Sequence, residues 1–442
     1  MTNQSQSGWA LLPLGLFILL FLGTGIYLQS QGVEYAFYQL PAPVAIIPAL
    51  LLALYFNRVL APTKHNLEDS ISLLIKGMGN NNVMTMCLIY LLAGAFASVA
   101  KQTGGVDAVV NLGLGVIPSA YLVAGLFVIS AIVATAMGTS MGTIGAVAPI
   151  AFGVVEVTSL DPALMAGAIV GGAMFGDNLS FISDTTIAST KTQGAELKDK
   201  FKENLIFALP SALIVLAVYI FYSSSAVPTD LSNEPANTLL ALPYFFIIVL
   251  AVLGLNVFVV LLLGIVLSAL FGFAVADYQI ANVGKDIYAG FANMQEIFLL
   301  SLLVGGLSEL MRHQGGLNFL VSHINSALSK VSKSGLYFKN QFAIASLGLL
   351  TNSAIANNTV AIIVSGDSAK KLAEQADIEP RRSASLLDIF SCITQGLVPF
   401  GAQALLAAAT FGISPIQVVS NVWYCMVLFV ISILVMIIRT KR

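Results

Sequence analysis

The sequence predicts an all-α polytopic protein that crosses a membrane many times. Of its 442 residues, 57% are hydrophobic and only 10% are charged, whereas soluble domains carry about 25% charged residues. The mean hydropathy is +0.89. Apolar stretches of roughly 20 residues, the length of a membrane-spanning helix, recur along the chain. The polar intervals between them are short and leave no room for a soluble domain.

The apolar stretches fall into two series with similar lengths and spacing along the chain. In the first half they cover about 10–29, 41–60, 83–101, 118–137, 140–157, 162–190 and 204–224. In the second half they cover about 239–254, 255–276, 295–312, 338–355, 357–377, 380–412 and 417–438. The first stretch lacks the basic segment of a cleaved signal peptide, so we expect it to be retained as a helix. Two short amphipathic stretches, 70–78 and 317–331, are predicted to lie at the membrane surface.

The two series also align residue by residue. LLAGAFASVAKQTGG (91–105) aligns without gaps on LLVGGLSELMRHQGG (302–316), an offset of 211. The offset grows to 216 for MGTIGAVA (141–148) on NNTVAIIV (357–364), and to 218 for DPALMAGAI (161–169) on EPRRSASLL (379–387). A steadily growing offset indicates two diverged copies. We predict a first repeat at 1–224, an extracytoplasmic linker at 225–240 and a second repeat at 241–442.

Each copy contains an odd number of apolar stretches, which places the second copy upside down relative to the first. Such inverted repeats are a common plan of secondary transporters, which bind substrate and ions where helices break at the repeat interface. Two alternatives for the crossings stay open. The segment 118–157 would also suit a hairpin that dips into the membrane and returns, and 162–190 would suit two half-spans.

Basic residues set the predicted orientation, because cytoplasmic loops of membrane proteins carry the positive excess. With a cytoplasmic amino terminus, 18 of the 20 lysines and arginines fall on the cytoplasmic side, and only Lys101 and Lys285 do not. We therefore predict a multi-pass protein of the cytoplasmic (inner) membrane with both termini in the cytoplasm. Its expected partner is the lipid bilayer, with no nucleic acid and no cofactor, and a homodimer is a candidate assembly.

The segment GDNLSFISDTTIAST (176–190) concentrates polar side chains inside an apolar stretch. An ionisable residue at membrane depth is costly unless it is paired, protonated or coordinated, and it marks a functional site by default. Hard cations prefer oxygen ligands, and this segment supplies them from Asp177, Asn178, Ser183, Asp184 and Thr185. We predict that these residues bind Na⁺, with Asp177 and Asp184 as the charged ligands. The alternative for Asp184 is a helix cap.

A break of the helix is predicted at Gly176, since Gly171, Gly172 and Gly176 directly precede the first acid. Unwinding there would free backbone carbonyls as further ligands. Asp177 and Asp184 are seven residues apart, which is about 10.5 Å along an unbroken helix. Either the chain bends between them, or one binds the ion while the other serves as a second ligand or proton carrier.

The second copy has amide side chains in the segment that aligns with these acids. TQGLVPFGAQA (394–404) places Gln395 opposite Asp177 and Gln403 opposite Thr185, and it retains the helix breaker Pro399. Two further polar breaks, TAMGTSMGT (135–143) and TNSAIANNT (351–359), pair across the copies. Together these segments predict a substrate pocket of Thr139, Ser140, Thr143, Asn357, Asn358, Thr359, Gln395 and Gln403. Close helix packing is the alternative role of the small residues in GTSMG.

The other charged residues carry weaker signals. Asp388 is expected to serve a proton path or to pair with Arg381 or Arg382 near a cytoplasmic loop. None of the predicted spans has a basic residue at its centre. An intramembrane enzyme is a remote alternative, but the chain lacks the paired-acid and metal motifs that such enzymes need. We therefore do not expect an enzyme.

The stretch GDNLSFISDTT (176–186) resembles the signature of the NhaC-type sodium/proton antiporter family, part of the wider ion transporter superfamily. The family's pattern is similar to Gly-Asp-x-x-Ser-Pro-x-Ser-Asp-Thr-Thr. The matching residues are Gly176, Asp177, Ser180, Ser183, Asp184, Thr185 and Thr186. Phe181 stands where the family usually has proline. The resemblance implies a secondary transporter that uses the sodium gradient and has a scaffold domain and a moving transport domain.

Sodium/proton antiport by alternating access is the function that these features favour, because two acids that alternately bind a cation and protons suffice for it. The alternative is sodium-coupled transport of a small organic solute, an amino acid or a carboxylate. The amides and hydroxyls of both copies would supply the larger polar pocket that such a cargo needs. The resemblance implies members of both kinds, so the signature leaves the cargo open.

Overall fold

The computed structural model describes residues 7–31, 33, 39–59, 66–108, 112, 121–158, 160–181, 183–223, 237–253, 255–316, 318–319, 322–323, 326 and 336–439. Within these ranges the ordered elements are helices, and no β-strand is found. Residues 225–236 of the predicted linker lie outside the described residues. So does most of the predicted surface helix at 317–331.

The first half contains α1 (Gly8–Leu28), α2 (Ala42–Val59), α3 (Leu67–Met78), α4 (Asn81–Gln102), α5 (Leu122–Met137), α6 (Ser140–Val157), α7 (Pro162–Leu179), α8 (Asp184–Gln193) and α9 (Leu197–Ser223). The second half contains α10 (Leu242–Val252), α11 (Val257–Val275), α12 (Ile280–Asn293), α13 (Gln295–His313), α14 (Leu336–Ile355), α15 (Asn358–Gln375), α16 (Pro380–Leu397), α17 (Ala402–Phe411), α18 (Pro415–Val419) and α19 (Trp423–Arg439).

The predicted multi-pass membrane architecture is confirmed. Eight helical segments in the described ranges are long and apolar enough to span a membrane, and α7 with α8 and α16 with α17 each count as one of them. The number rises to nine if α12 and α13, which are bent by 48°, count as one span. Most predicted apolar stretches coincide with helices. The sequence analysis missed α12, because this partly exposed helix lacks a long apolar run.

The second half repeats the helix packing of the first. Helices α1 to α9 correspond to α10 to α17 and α19, and α18 has no counterpart among the described elements. Helix α5 packs on α7 as α14 packs on α16. Across the halves, α8 packs on α15 as α17 packs on α6. These reciprocal contacts are those of an internal duplication with a pseudo-two-fold axis.

The two copies are inverted, because corresponding helices that touch run antiparallel. Near the start of α9, Glu203 accepts a hydrogen bond from Arg439, the last residue of α19, at 2.8 Å. Near the end of α9, Tyr219 stacks on Trp423, the first residue of α19, with ring centroids 5.2 Å apart. The predicted inversion is therefore present in the packing.

Glycine pairs join the two copies at matching places. A Cβ on Gly77 of α3 would lie 2.5 Å from the carbonyl oxygen of Gly305 in α13. At the equivalent contact, a Cβ on Gly94 of α4 would lie 2.4 Å from the carbonyl oxygen of Gly290 in α12. Small residues let membrane helices approach to backbone contact. These four glycines therefore bring α3, α4, α12 and α13 together closely.

The residue alignment of the copies needs one correction. Thr139 caps α6 by accepting a bond from the Gly142 N–H, and Asn357 caps α15 by accepting one from the Val360 N–H. Thr139 therefore corresponds to Asn357, an offset of 218. The offset of 216 predicted for this segment is wrong by two residues, because the hydrophobic pattern there is too uniform to fix the register.

We expect Gly167→Ala to destabilise the protein. A Cβ at Gly167 of α7 would lie 2.1 Å from the backbone carbonyl oxygen of Asn421, and overpacking of this kind costs about 1–3 kcal/mol. The control is Gly125→Ala in α5, where an added Cβ meets nothing within 4 Å and better helix propensity adds stability. Thermal unfolding in detergent should give a lower midpoint for Gly167→Ala only. Equal midpoints would contradict the packing.

Candidate functional site

Two helix breaks face each other across the repeats. Helix α7 ends at Leu179 and α8 begins at Asp184, with Ser180 and Ser183 in extended conformation. In the second copy α16 ends at Leu397 and α17 begins at Ala402. Both breaks follow at the same offset of 218. The pairing of Asp177 with Gln395 and of Thr185 with Gln403 uses this same offset.

The first break lies after Asp177, and its predicted position at Gly176 is wrong. Gly176 is helical and buried. A Cβ there would lie 2.5 Å from the carbonyl oxygen of Ala131 and 2.6 Å from the backbone nitrogen of Thr135. This glycine therefore serves the close approach of α5 to α7. The break adds no carbonyl at Gly176, and Asp177 stands in the last turn of α7.

Phe181 occupies the first break without a proline. Its ring stacks on Phe201 of α9, with centroids 4.5 Å apart and planes at 19°. This contact attaches the extended segment to a neighbouring helix. In the second copy, Pro399 lies within the break between Leu397 and Ala402. The two copies thus interrupt the helix with different side chains.

A cavity of about 100 Å³ lies between the two breaks. Eleven of the thirteen predicted site residues line it, namely Thr139, Ser140, Asp177, Ser183, Asp184, Thr185, Asn357, Asn358, Thr359, Gln395 and Gln403. Asp177 and Asp184 therefore share one cavity, because the chain bends between them. The sequence analysis missed Thr85, which also lines the cavity. It stands alone in an apolar helix, where no pattern marks it.

Two predicted site residues lie outside the cavity. Asn178 donates through Nδ2 to the hydroxyl of Tyr424 at 3.1 Å. It follows Asp177 in the helix, and one residue turns the side chain by about 100°. Thr143 donates its hydroxyl to the carbonyl oxygen of Thr139 at 3.0 Å, within α6. Neither side chain is placed to contact a ligand in the cavity.

Asp177 is held by two hydroxyls, one from the first break and one from α6. Ser183 donates to Oδ1 at 2.5 Å, and Ser140 donates to Oδ2 at 3.3 Å. The side chain is buried and sits at the carboxyl end of α7, where the helix dipole is negative. Its carboxylate thus lacks the favourable dipole of a helix amino terminus. The position favours a neutralising cation or proton.

The amides of the second copy extend this network. Gln403 donates to the Ser140 hydroxyl at 3.1 Å, and Gln395 donates to Oε1 of Gln403 at 2.6 Å. Oε1 of Gln395 is buried and lacks a partner among the described residues. A continuous chain of polar groups therefore runs from Asp177 of one copy to a free carbonyl oxygen of the other.

Other site residues have evident structural roles. Thr139 and Asn357 cap α6 and α15, as their bonds to backbone N–H groups require. Ser183 takes the N-cap position of α8, so Asp184 is the first helical residue and not the cap. Asp184 is exposed and stands in the first turn, where a carboxylate suits the helix dipole.

A buried ion pair lies behind the first break. Lys200 is 1% exposed, and its Nζ is 2.6 Å from Oδ2 of the wholly buried Asp388. Lys200 is one of the 18 basic residues counted on the cytoplasmic side by assigning them to loops, and its loop assignment is wrong because α9 begins at Leu197. The expected pairing of Asp388 with Arg381 or Arg382 is also wrong. Arg382 instead pairs with Glu203 at 2.8 Å.

The two copies differ in how α4 contacts α6 and how the equivalent α13 contacts α15. Helix α4 packs on α6, and Lys101 pairs with Glu156 at 2.7 Å. In the described part of the chain the equivalent helices α13 and α15 lack comparable packing. A cleft of about 130 Å³ lies there and shares Met86, Ala356 and Asn357 with the site cavity. The site cavity is therefore adjacent to the cleft on the α13–α15 side.

Comparison with known proteins agrees with this architecture. The model of the Na⁺/H⁺ antiporter family matches residues 11–224 and 230–440. The chain belongs to the Na⁺/H⁺ antiporter family. The predicted resemblance to its NhaC-type members is confirmed, since similar proteins of this family carry that name. The two matched segments adjoin residues 225–229, at the start of the predicted linker.

Proteins similar to this chain differ in the activities that their names state. The Na⁺/H⁺ antiporter NhaC of Alkalihalophilus pseudofirmus is 23% identical, covering 94% of this chain and 92% of its own. The malate-2H⁺/Na⁺-lactate antiporter of Bacillus subtilis is 24% identical, covering 96% of this chain and 93% of its own. A solved structure, the Alcanivorax borkumensis YdaH transporter, has a TM-score of 0.44 at 14% identity, covering 90% of this chain and 98% of its own.

Proposed function

We propose that this protein exchanges Na⁺ for H⁺ by alternating access, with Asp177 as the shared binding group. One observation carries the proposal. The described residues that line the cavity include two carboxylates, with hydroxyls and amides, but no lysine or arginine. Oxygen-rich, negatively charged surroundings suit a hard cation. They disfavour an anion unless a cation accompanies it.

The chemistry of exchange follows from the burial of Asp177. An ionised carboxylate at membrane depth is costly, so this site is stable when a cation or a proton neutralises it. Na⁺ would take Asp177 together with oxygens of Ser183, Asp184 and Thr185, which line the same cavity. Loss of Na⁺ would leave Asp177 to take a proton. The site can therefore change its access to the two sides of the membrane when it holds Na⁺ or a proton. The empty, ionised site is disfavoured.

Ser140, Gln403 and Gln395 are assigned the role of orienting Asp177. Their hydrogen bonds run in one direction, from Gln395 through Gln403 and Ser140 to the carboxylate. Na⁺ needs the carboxylate oxygens directed at it, and a chain of donors on the other side fixes that direction. The second repeat thereby completes a site whose charge comes from the first.

The unequal packing of α4 on α6 and of α13 on α15 supports alternating access. The repeats predict that the contact of α4 with α6 has an equivalent, α13 with α15, that forms in a second state. The Lys101–Glu156 pair would then be replaced by Arg312 with Glu374 at the equivalent positions. We propose that α5 to α8 and α14 to α17 move as a transport domain against a scaffold that contains α4 and α13. The α13–α15 cleft would face the cytoplasm.

The division at 225–240, the location in the cytoplasmic membrane and the cytoplasmic termini belong to the same proposal. A homodimer is also part of the proposal, because the exposed apolar faces of the helices could contact a second copy. The distribution of lysine and arginine supports the orientation. The matched helix contacts of the two halves support the division.

The proposal is tested with purified protein in proteoliposomes that contain a pH-sensitive dye. An imposed sodium gradient is expected to move protons in the opposite direction without any organic solute. Protein-free liposomes and potassium in place of sodium are the controls. Proton movement that requires an organic solute would contradict plain antiport.

Sodium-coupled exchange of a small carboxylate is the second candidate. The amides of Gln395, Gln403, Asn357 and Asn358 at the cavity supply hydrogen-bond donors for such a cargo, and one relative is named a malate-2H⁺/Na⁺-lactate antiporter. Lactate, malate and amino acids are therefore added in turn to the same proteoliposomes. A sodium-dependent uptake of one of them, with no proton movement in its absence, would favour this candidate.

A further inference from the structure

We propose that the protein has a second oxygen-lined cation site, and that the ammonium group of Lys200 occupies it as a tethered cation, a positive charge fixed to the chain. The ammonium group thereby prevents a second Na⁺ from binding there. The proposal rests on the proposed function, because it concerns how many ions the paired breaks bind. The site, here called the lysine cage, consists of Lys200, Asp388, Thr186 and Asn178. It lies behind the first break, on the opposite side of the chain from the cavity.

The ligands of the Lys200 ammonium group are all oxygens from other elements. Its Nζ is 2.6 Å from Oδ2 of Asp388 in α16 and 2.6 Å from the hydroxyl oxygen of Thr186 in α8. It also lies 3.5 Å from the backbone carbonyl oxygen of Asn178 at the end of α7. A carboxylate, a hydroxyl and a free helix-end carbonyl form the ligand set that an alkali cation takes.

The lysine cage has more acceptors than Lys200 uses. Oδ1 of Asp388 and Oδ1 of Asn178 are buried and lack a hydrogen-bond partner among the described residues. Unsatisfied acceptors of this kind are rare in folded proteins, because leaving them dry is costly. The free oxygen of Asp388 belongs to the carboxylate that binds the ammonium group, so the lysine cage has an oxygen to spare for a cation.

The lysine cage is also held in place by a residue other than Lys200. Asn204, one turn further along α9, donates to the Asn178 carbonyl at 2.7 Å and to Oδ2 of Asp388 at 3.0 Å. Ser385 in turn donates to Oδ1 of Asn204. These bonds fix two of the oxygens independently of the lysine. The oxygens are therefore expected to keep their positions when Lys200 is shortened.

The lysine cage and the cavity share one backbone segment. Asp177 faces the cavity, and its neighbour Asn178 presents its carbonyl to Lys200. Thr185 lines the cavity, and its neighbour Thr186 binds Lys200. One break thus offers oxygens on two sides. In this proposal the transported Na⁺ binds on the cavity side, and the Lys200 ammonium group occupies the side of the lysine cage.

The number of bound Na⁺ ions tests the proposal. Equilibrium binding of radioactive Na⁺ to the purified full-length protein is expected to give one ion for the wild type. Lys200→Ala empties the lysine cage and is expected to bind two. Lys200→Met fills the space without a charge, so it should stay at one. The double variant Lys200→Ala/Asp388→Asn lacks the cage's negative charge and should return to one.

The outcomes separate this proposal from the proposed function. A count of one for Lys200→Ala would overturn the tethered-cation role and leave the exchange site untouched. A wild type that binds no Na⁺ would overturn the proposed function instead. Thermal unfolding supplies a second measurement where Lys200→Ala is too unstable for counting. Na⁺ should raise its midpoint more than that of Lys200→Met, and equal shifts would contradict the proposal.

Discussion

Asp177→Asn is expected to abolish sodium-driven proton movement in proteoliposomes. The amide keeps the size of the side chain and one oxygen, which can still accept the Ser183 hydroxyl, while its NH2 group would face the Ser140 hydroxyl. It cannot take up a proton, and it carries no charge to neutralise Na⁺. We expect the Na⁺ affinity to fall about 100-fold, which corresponds to about 2.7 kcal/mol. Sodium binding and proton flux should fall together.

Two matched aspartates serve as comparisons for this variant. Asp161 caps α7 by accepting the Ala163 N–H, and asparagine is an equally good cap, so Asp161→Asn should retain full exchange. Asp184 lines the cavity but is exposed. Water partly screens its charge, so its contribution to Na⁺ binding is smaller than that of Asp177. Asp184→Asn should lose about 10-fold in Na⁺ affinity, or about 1.4 kcal/mol. Full exchange by Asp177→Asn would refute the site.

Much of this architecture is predictable from the sequence because membranes impose strong rules. Apolar stretches must be long enough to span the bilayer, and polar residues at membrane depth stand out against them. These rules bring Asp177, Gln395 and Gln403 into one expected site, which the cavity between the breaks then contains. The match of acid with amide needs only the offset of 218 that applies to this part of the two repeats.

The details that sequence reasoning misses depend on packing. Glycine is a typical helix breaker, yet Gly176 lies inside an intact helix. Its missing side chain allows the close contact with Ala131. Lys200 is part of a run with Lys198 and Lys202, which looks like a solvated loop. Its burial has a faint signature, since Lys200, Asn204, Phe207 and Ser211 recur at helical spacing and are all buried.

Lys200→Met is expected to be one of the most destabilising single substitutions in the transport domain. The change leaves the wholly buried carboxylate of Asp388 without its cation. Removing one partner of a buried ion pair costs about 3–5 kcal/mol, much more than the pair itself contributes. Thermal unfolding in sodium-free choline buffer should therefore show a large drop of the midpoint. An unchanged midpoint would mean that the pair is not formed.

The double variant Lys200→Met/Asp388→Asn separates charge from packing. The amide that replaces the Asp388 carboxylate would still accept the hydrogen bond that Asn204 donates at this position, and no buried charge remains. Replacing a whole buried ion pair by neutral groups is often neutral in stability, so the midpoint should return close to that of the wild type. A double variant as unstable as Lys200→Met would instead assign the loss to the packing of the lysine chain.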